Sequence, residues 1–107
     1  MSSRKRNFRQ LIQWLISGSR GGVNRGRIIQ ALREEPLNAN QLGNLLEVDY
    51  RTVRHHLDVL VKNGVITSMG ERYGKMYFLS QELDEGWGDF EEIWVRIGNK
   101  LKREDLE

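Results

Sequence analysis

The chain of 107 residues contains no cysteine. That one absence excludes disulfides, thiolate metal sites and cysteine catalysis together. Histidine is almost as scarce. His55 and His56 are the only two, and they are adjacent. Neighbouring residues on a helix point about 100° apart, so these imidazoles do not form a chelating i, i+4 pair. No metal site and no cofactor are expected. Long apolar runs are also missing, so no membrane span is expected. The basic N-terminal residues are not followed by a signal-type apolar stretch, because Gln13 and Ser17 interrupt it. A cytoplasmic location without a membrane partner is the resulting expectation. Catalytic constellations are absent too: there is no Ser–His–Asp arrangement, no glycine-rich phosphate loop after a strand and no metal-ligand spacing. The adjacent acids Asp84-Glu85 and Glu91-Glu92 cannot face each other on a helix. The chain is not expected to be an enzyme, and no catalytic residues are assigned.

Acidic residues are missing from the first third. Residues 1–33 hold eight Arg or Lys and no Asp or Glu, and the first acid is Glu34. Over residues 1–80 thirteen basic groups face six acidic ones, a balance of +7. Over residues 81–107 four basic groups face nine acidic ones, a balance of −5. The modest net charge of +2 therefore conceals a basic body and an acidic C-terminal segment. Such a split fits a polyanion-binding module with a separate association element. It equally fits solvated helix faces, and charge alone does not decide.

What is present is a run of short amphipathic helices. Phe8, Leu11, Ile12, Leu15 and Ile16 recur at helical spacing, predicting a helix over about 5–17 with Trp14 off the stripe. Ser17–Gly22 reads as a loop. A second helix runs from about 24 to 35, with Asn24 as N-cap, Ile28, Ile29 and Leu32 inward, and Pro36 as its stop. Asn38 and Gln41 have capping-box spacing ahead of a short helix over 39–46, whose inward residues are Leu42, Leu45 and Leu46. After a tight connection, Asp49 caps a helix over about 50–63 that buries Val53, Leu57, Leu60 and Val61. Gly64 ends it in the left-handed cap conformation. Val65–Met69 and Lys75–Ser80 read as two strands of a hairpin around Gly70–Gly74. A last helix is predicted over 82–103, where Leu83, Trp87, Phe90, Trp94, Ile97 and Leu101 are spaced 4, 3, 4, 3, 4 as in a heptad seam.

The order is helix, helix, helix–tight turn–helix, hairpin, helix. Two short helices across a tight turn make a helix-turn-helix, and a hairpin directly after it is a wing. The expected fold class is therefore mainly α with a small β-hairpin: one winged helix-turn-helix domain over residues 1–107, with a core at 22–80 between two outer helices.

The stretch Thr52-Val53-Arg54-His55-His56-Leu57-Asp58-Val59-Leu60, followed by Gly64-Val65, resembles the recognition helix and wing entry of ArsR-type winged-helix regulators. It is most similar to the short archaeal members. The resemblance spans about residues 22–80. It implies a symmetric dimer held by the first and last helices, with a recognition helix in each of two successive major grooves and wings reaching the flanking backbone. Many members of that family sense metal through cysteines or histidines, and here no cysteine is available.

On this reading the chain is a double-stranded DNA-binding regulator. Repression is expected from the resemblance, since blocking a promoter needs only tight binding. The recognition-helix candidates are Tyr50, Arg51, Thr52, Arg54, His55, Asp58 and Lys62. Tyr50, Arg51 and Thr52 lie in the first turn, where a recognition helix meets base edges. Arg51 and Arg54 suit bidentate contact with guanine, and His55 suits a base or a phosphate. His56 falls at the edge of the apolar face and is expected to be structural. Asp58 is expected to pair with Arg54 or Lys62 at i, i+4 rather than to read cytosine. In the wing, Arg72, Tyr73 and Lys75 should meet phosphate or the minor groove. Arg25, Arg27 and the cluster Arg4-Lys5-Arg6 are weaker candidates.

Phe8, Leu11 and Leu15, with Leu83, Trp87, Phe90, Trp94, Ile97 and Leu101, are too many large apolar groups to leave in water. Burying each is worth about 1.5–3 kcal/mol. A homodimer interface is the expected cover. Packing of the two terminal helices on each other within one monomer is the competing reading. A winged helix used as a protein–protein scaffold is the functional rival. The basic face of the fourth helix favours DNA. The sequence identifies no effector.

Overall fold

The computed structural model describes residues 2–106, with side chains over residues 7–103. Six helices surround a three-stranded sheet: α1 (Ser2–Ile16), α2 (Gly22–Glu34), β1 (Leu37–Asn38), α3 (Ala39–Leu46), α4 (Tyr50–Lys62), β2 (Ile66–Met69), β3 (Met76–Leu79), α5 (Gln81–Glu85) and α6 (Trp87–Leu106). The sheet order is β1-β3-β2, antiparallel throughout. This is the expected winged helix-turn-helix.

Local signals explain most boundaries. The Asn38 side chain accepts from the Gln41 backbone N–H at 2.7 Å, and the Gln41 side chain accepts from the Asn38 N–H at 2.9 Å. This closes the capping box on α3. Asp49 caps α4 by accepting from the Thr52 N–H at 3.1 Å. Between the two helices Glu47 turns through the left-handed region at φ 57. Gly64 takes φ 73, as its place after α4 requires. Ser80 caps α5, accepting from the Leu83 N–H at 3.2 Å.

Four expectations change. The N-cap of α2 is Gly21, at φ 85, and not Asn24. The reason is steric: α2 starts so close to the end of α1 that only glycines fit there. Leu37–Asn38 form a strand beside β3, with Leu37 opposite Tyr77. Two residues are too short to show a period in sequence. The last helix is broken at Gly86, whose N–H still bonds Glu82 while α6 restarts at Trp87. Leu45 (61% exposed) and Val61 (37%) are not inward. Buried positions Ala39 and Leu42 leave Leu45 beside the stripe, and the buried arc of α4 turns toward His56 and away from Val61.

The core is continuous from Ile12 and Leu15 on α1 through Ile28 and Ile29 on α2 to Leu57 and Leu60 on α4, Tyr77 on β3, and Phe90 and Ile93 on α6. Phe90 is fully buried between Trp87 and Trp94, at ring-centroid distances of 4.9 and 5.9 Å. Trp94 closes over Gly26, where an added Cβ would lie 2.1 Å from the indole. Arg33 sits over the Trp87 ring at 4.4 Å. Among the described residues no helix is long and apolar enough to cross a membrane. Among them, too, no group of three or more His, Asp or Glu side chains could hold a metal ion.

Candidate nucleic-acid interface

Helix α4 is anchored by one face and offers the other. Val53, His56, Leu57 and Leu60 are buried. Tyr50, Arg51, His55, Asp58 and Lys62 are exposed, with Thr52 and Arg54 at the margins. The Arg51 and Lys62 side chains have no hydrogen bond or ion pair with any described residue, and the exposed His55 ring only borders His56. Thr52 is occupied differently. Its hydroxyl donates to the Asp49 carboxylate, so it belongs to the cap. These Thr52 bonds hold the Asp49 carboxyl below its usual range. Asp58 stands 3.9 Å from Arg54, the expected i, i+4 partner. Arg54 donates to the Tyr50 hydroxyl at 3.3 Å.

The wing is joined to α4 at its tip. Gly70 turns at φ 97, and Arg72–Gly74 form a single 3-10 turn with Arg72 itself at φ 52. Tyr73 is 80% exposed, yet its ring lies 6.3 Å from that of Tyr50. Arg72 is exposed beside it, and Lys75 is half-buried between the 3-10 turn and β3. The first turn of α4 and the tip of the wing therefore sit together. Sequence reasoning named both tyrosines but not their contact, because no local pattern relates positions 50 and 73.

Two weaker candidates are not at this surface. Arg25 is 4% exposed. Its guanidinium donates to Leu15 O at 2.9 Å, to Arg20 O at 3.0 Å and to the Ser19 hydroxyl, and stands 3.4 Å from His56 Nδ1. Arg27 donates to Leu46 O at 2.8 Å, satisfying a carbonyl at the end of α3. Both arginines are structural. The reason was not visible in the sequence: each meets carbonyls at a helix C-terminus, where cations are favoured. The cluster Arg4-Lys5-Arg6 lies outside the residues whose side chains are described.

The role foreseen for His56 follows from the same contact. Arginine stays protonated, so His56 Nδ1 accepts and the proton of the neutral ring lies on Nε2. Burial foremost, then Arg25 and His55, push the imidazole below its ordinary pKa. Gly21 passes so close that a Cβ there would lie 2.6 Å from His56 Cε1.

The terminal seam turns inward. Leu15, Leu83 and Phe90 are buried within the one chain and leave no surface for a second copy. Phe8, Leu11, Trp87 and Trp94 are partly buried against the same core. For these residues the competing reading applies: the two terminal helices pack on each other within the one chain, with α2 completing the cover. Arg9 ties the faces together, donating to Asp89 at 2.6 Å and to Glu92 at 3.3 Å. Ile97 and Leu101 lie further out, and with Ile16 and Val23 they line an open apolar groove.

Comparison with known proteins agrees with this architecture. Residues 24–68 match the model of a helix-turn-helix domain. The sequence matches no curated protein. Among solved structures the chain is similar to a MarR transcriptional regulator from Methanosarcina mazei, with a TM-score of 0.66 at 20% identity over 94% of this chain and 76% of that one. It is also similar to reduced HlyU from Vibrio cholerae, with a TM-score of 0.58 at 18% identity over 91% and 90%. For the oxidized form of MarR from E. coli the TM-score is 0.61 at 18% identity over 95% and 74%. The chain thus has the winged helix-turn-helix fold.

Proposed function

We propose that the protein is a sequence-specific, double-stranded DNA-binding transcription regulator of the ArsR type that acts as a homodimer. The observation that carries the reading is the meeting of the wing tip with the first turn of α4 at Tyr50 and Tyr73. It brings the first turn of α4, a helix suited to the major groove that carries Arg51 and His55, to the tip of a hairpin suited to the flanking backbone that carries Arg72 and Lys75. Arg51 and His55 read base edges. Lys62, Arg72 and Lys75 contact phosphate, which positions the protein and makes affinity fall with salt. Blocking a promoter requires nothing beyond such binding, so repression is the regulatory outcome.

The dimer surface is narrower than the seam suggested. With Phe90 and Leu83 enclosed, the apolar surface left to the outer helices includes Trp14 and Val95, each more than half exposed, and the groove of Ile16, Val23, Ile97 and Leu101, where Val23 and Leu101 are 41% and 43% exposed; the groove is the concave part of it. A second copy covering this groove would pair two α4 helices about a two-fold axis. The half-sites would then lie roughly 10–10.5 base pairs apart, or a multiple of that.

The test is an anisotropy titration of the protein against a random duplex pool at two salt concentrations, with sequencing of the bound fraction. Salt-dependent binding that enriches a palindrome supports the reading. Absence of binding at low salt refutes it and leaves the scaffold reading, with the apolar groove as the partner surface.

A further inference from the structure

Arg54 has the residue type and position of a guanine reader, but its donors face elsewhere. A guanidinium grips guanine O6 and N7 either by Nε with one terminal nitrogen or by both terminal nitrogens. The first edge is closed: Arg54 Nε is shielded from solvent and has no partner. The second is engaged: Nη1 donates to the Tyr50 hydroxyl at 3.3 Å, and Nη2 stands 3.9 Å from Asp58 Oδ1. Swinging outward to a base would give up both interactions.

What the side chain does instead follows from its neighbours. Tyr50, which it holds, lies against Tyr73 at the wing tip, with the rings 6.3 Å apart and tilted by 41°. Two four-residue strands make a hairpin that is marginal by itself. β1 adds a third strand beside β3, and beyond Met76, where that pairing ends, the tip carries the 3-10 turn in which Arg72 adopts φ 52. The contact through Tyr50 therefore fixes the distance between the base-reading end of α4 and the cations of the wing.

Resting on the DNA-binding reading, we propose that Arg54 is a positioning residue: through Tyr50 and Tyr73 it latches the wing to the recognition helix, and it reads no base. The latch sets the register between groove contacts and flanking phosphate contacts. Arg51 is left as the base-reading arginine of α4.

Two arms test this. In the DNA-free protein, amide exchange is compared between wild type, Arg54→Met and Tyr73→Ala. The latch requires faster exchange over residues 70–75 in both variants, with the amides of α2 and the buried turns of α4 unchanged. Tyr73 is exposed, so Tyr73→Ala folds whatever Arg54→Met does. Unchanged wing exchange in both variants overturns the proposal. In the DNA arm, each variant is taken through selection from a random duplex pool and a salt titration. The latch predicts the wild-type sequence preference at every position and a shallower salt dependence, with the double variant no weaker than the worse single one. A relaxed preference at one position per half-site in Arg54→Met alone makes Arg54 a reader and overturns the proposal. If the wild type binds no DNA, the DNA-binding reading fails, and the exchange arm still decides the latch.

Discussion

Gly22 is the residue whose replacement tests the packing argument most directly. It opens α2 where that helix departs from the end of α1. A Cβ at this position would lie 1.9 Å from Ile16 O, 2.6 Å from Ile16 C and 3.1 Å from Ile16 Cα. All three are backbone atoms, so no rotamer change relieves the overlap. The end of α1 must instead move away from α2 by more than 1 Å to reach ordinary contact, about 3.2–3.5 Å. Overpacking by a methyl group typically costs about 1–3 kcal/mol, and a backbone shift belongs at the upper end. Against it stands the gain of replacing helical glycine by alanine, at most about 1 kcal/mol and smaller in a first turn. Gly22→Ala should therefore lose about 2 kcal/mol. For a domain of this size that lowers Tm by roughly 8–16 °C. Gly98→Ala is the matched control: it lies within α6 with nothing within 4 Å of the added carbon, so it should gain up to about 1 kcal/mol. Thermal and urea unfolding followed by circular dichroism, at one fixed protein concentration, measures both. A Gly22→Ala protein as stable as wild type would refute the claim that α1 and α2 meet backbone to backbone.

Three further outcomes are expected. Arg51→Ala should cost about 1–3 kcal/mol of specific DNA affinity and relax preference at one position per half-site, read by selection and titration. Lys75→Ala should weaken all sequences alike and lower the salt slope by about 1 for each phosphate no longer neutralised, which anisotropy at several salt concentrations measures. His56, neutral and depressed in the folded chain, binds a proton more readily once unfolded. Its contribution to stability is thus complete above the ordinary imidazole pKa of about 6.5 and is lost as pH falls through the depressed folded value. Urea midpoints between pH 7.5 and 5.5 should drop for wild type and less for His56→Gln, and equal slopes would sink the assignment.

Legibility of the fold followed the range of the interaction. The helix-turn-helix was readable because its determinants are local: Asn38 with Gln41, Asp49 before α4, Gly64 after it, and the spacing of Val53, Leu57 and Leu60. Strand β1 was not, since Leu37 and Asn38 are extended only because β3 lies beside them. Gly86 interrupted a heptad pattern that looks continuous in sequence, because spacing records which side chains share a face and not whether the backbone between them is unbroken. At the candidate site the exposed basic face of α4 was legible from its periodicity. The burial of Arg25 was not, because a basic residue near a glycine loop looks alike whether its partner is a phosphate or a set of main-chain oxygens. The Tyr50–Tyr73 contact spans a helix and a wing and leaves no trace in either segment.

The charge asymmetry acquires a different meaning from these contacts. A basic first half and an acidic last quarter suggested two independent surfaces, one for a polyanion and one for association. In the fold, Asp89 and Glu92 of α6 meet Arg9 of α1, and Asp84 of α5 meets Arg33 of α2 at 3.0 Å. These pairs are exposed or nearly so, and solvent screening leaves such pairs little weight in stability. Their consequence for stability is small, but their consequence for the field is not. They neutralise Arg9 of α1 and Arg33 of α2, while Arg51, Lys62, Arg72 and Lys75 keep their charge uncompensated by any described ion pair. A module whose first helices stayed fully charged would attract a polyanion from several directions. By pairing its acidic segment with those two arginines the chain lowers the positive charge of α1 and α2, so that α4 and the wing hold a larger share of the charge left uncompensated.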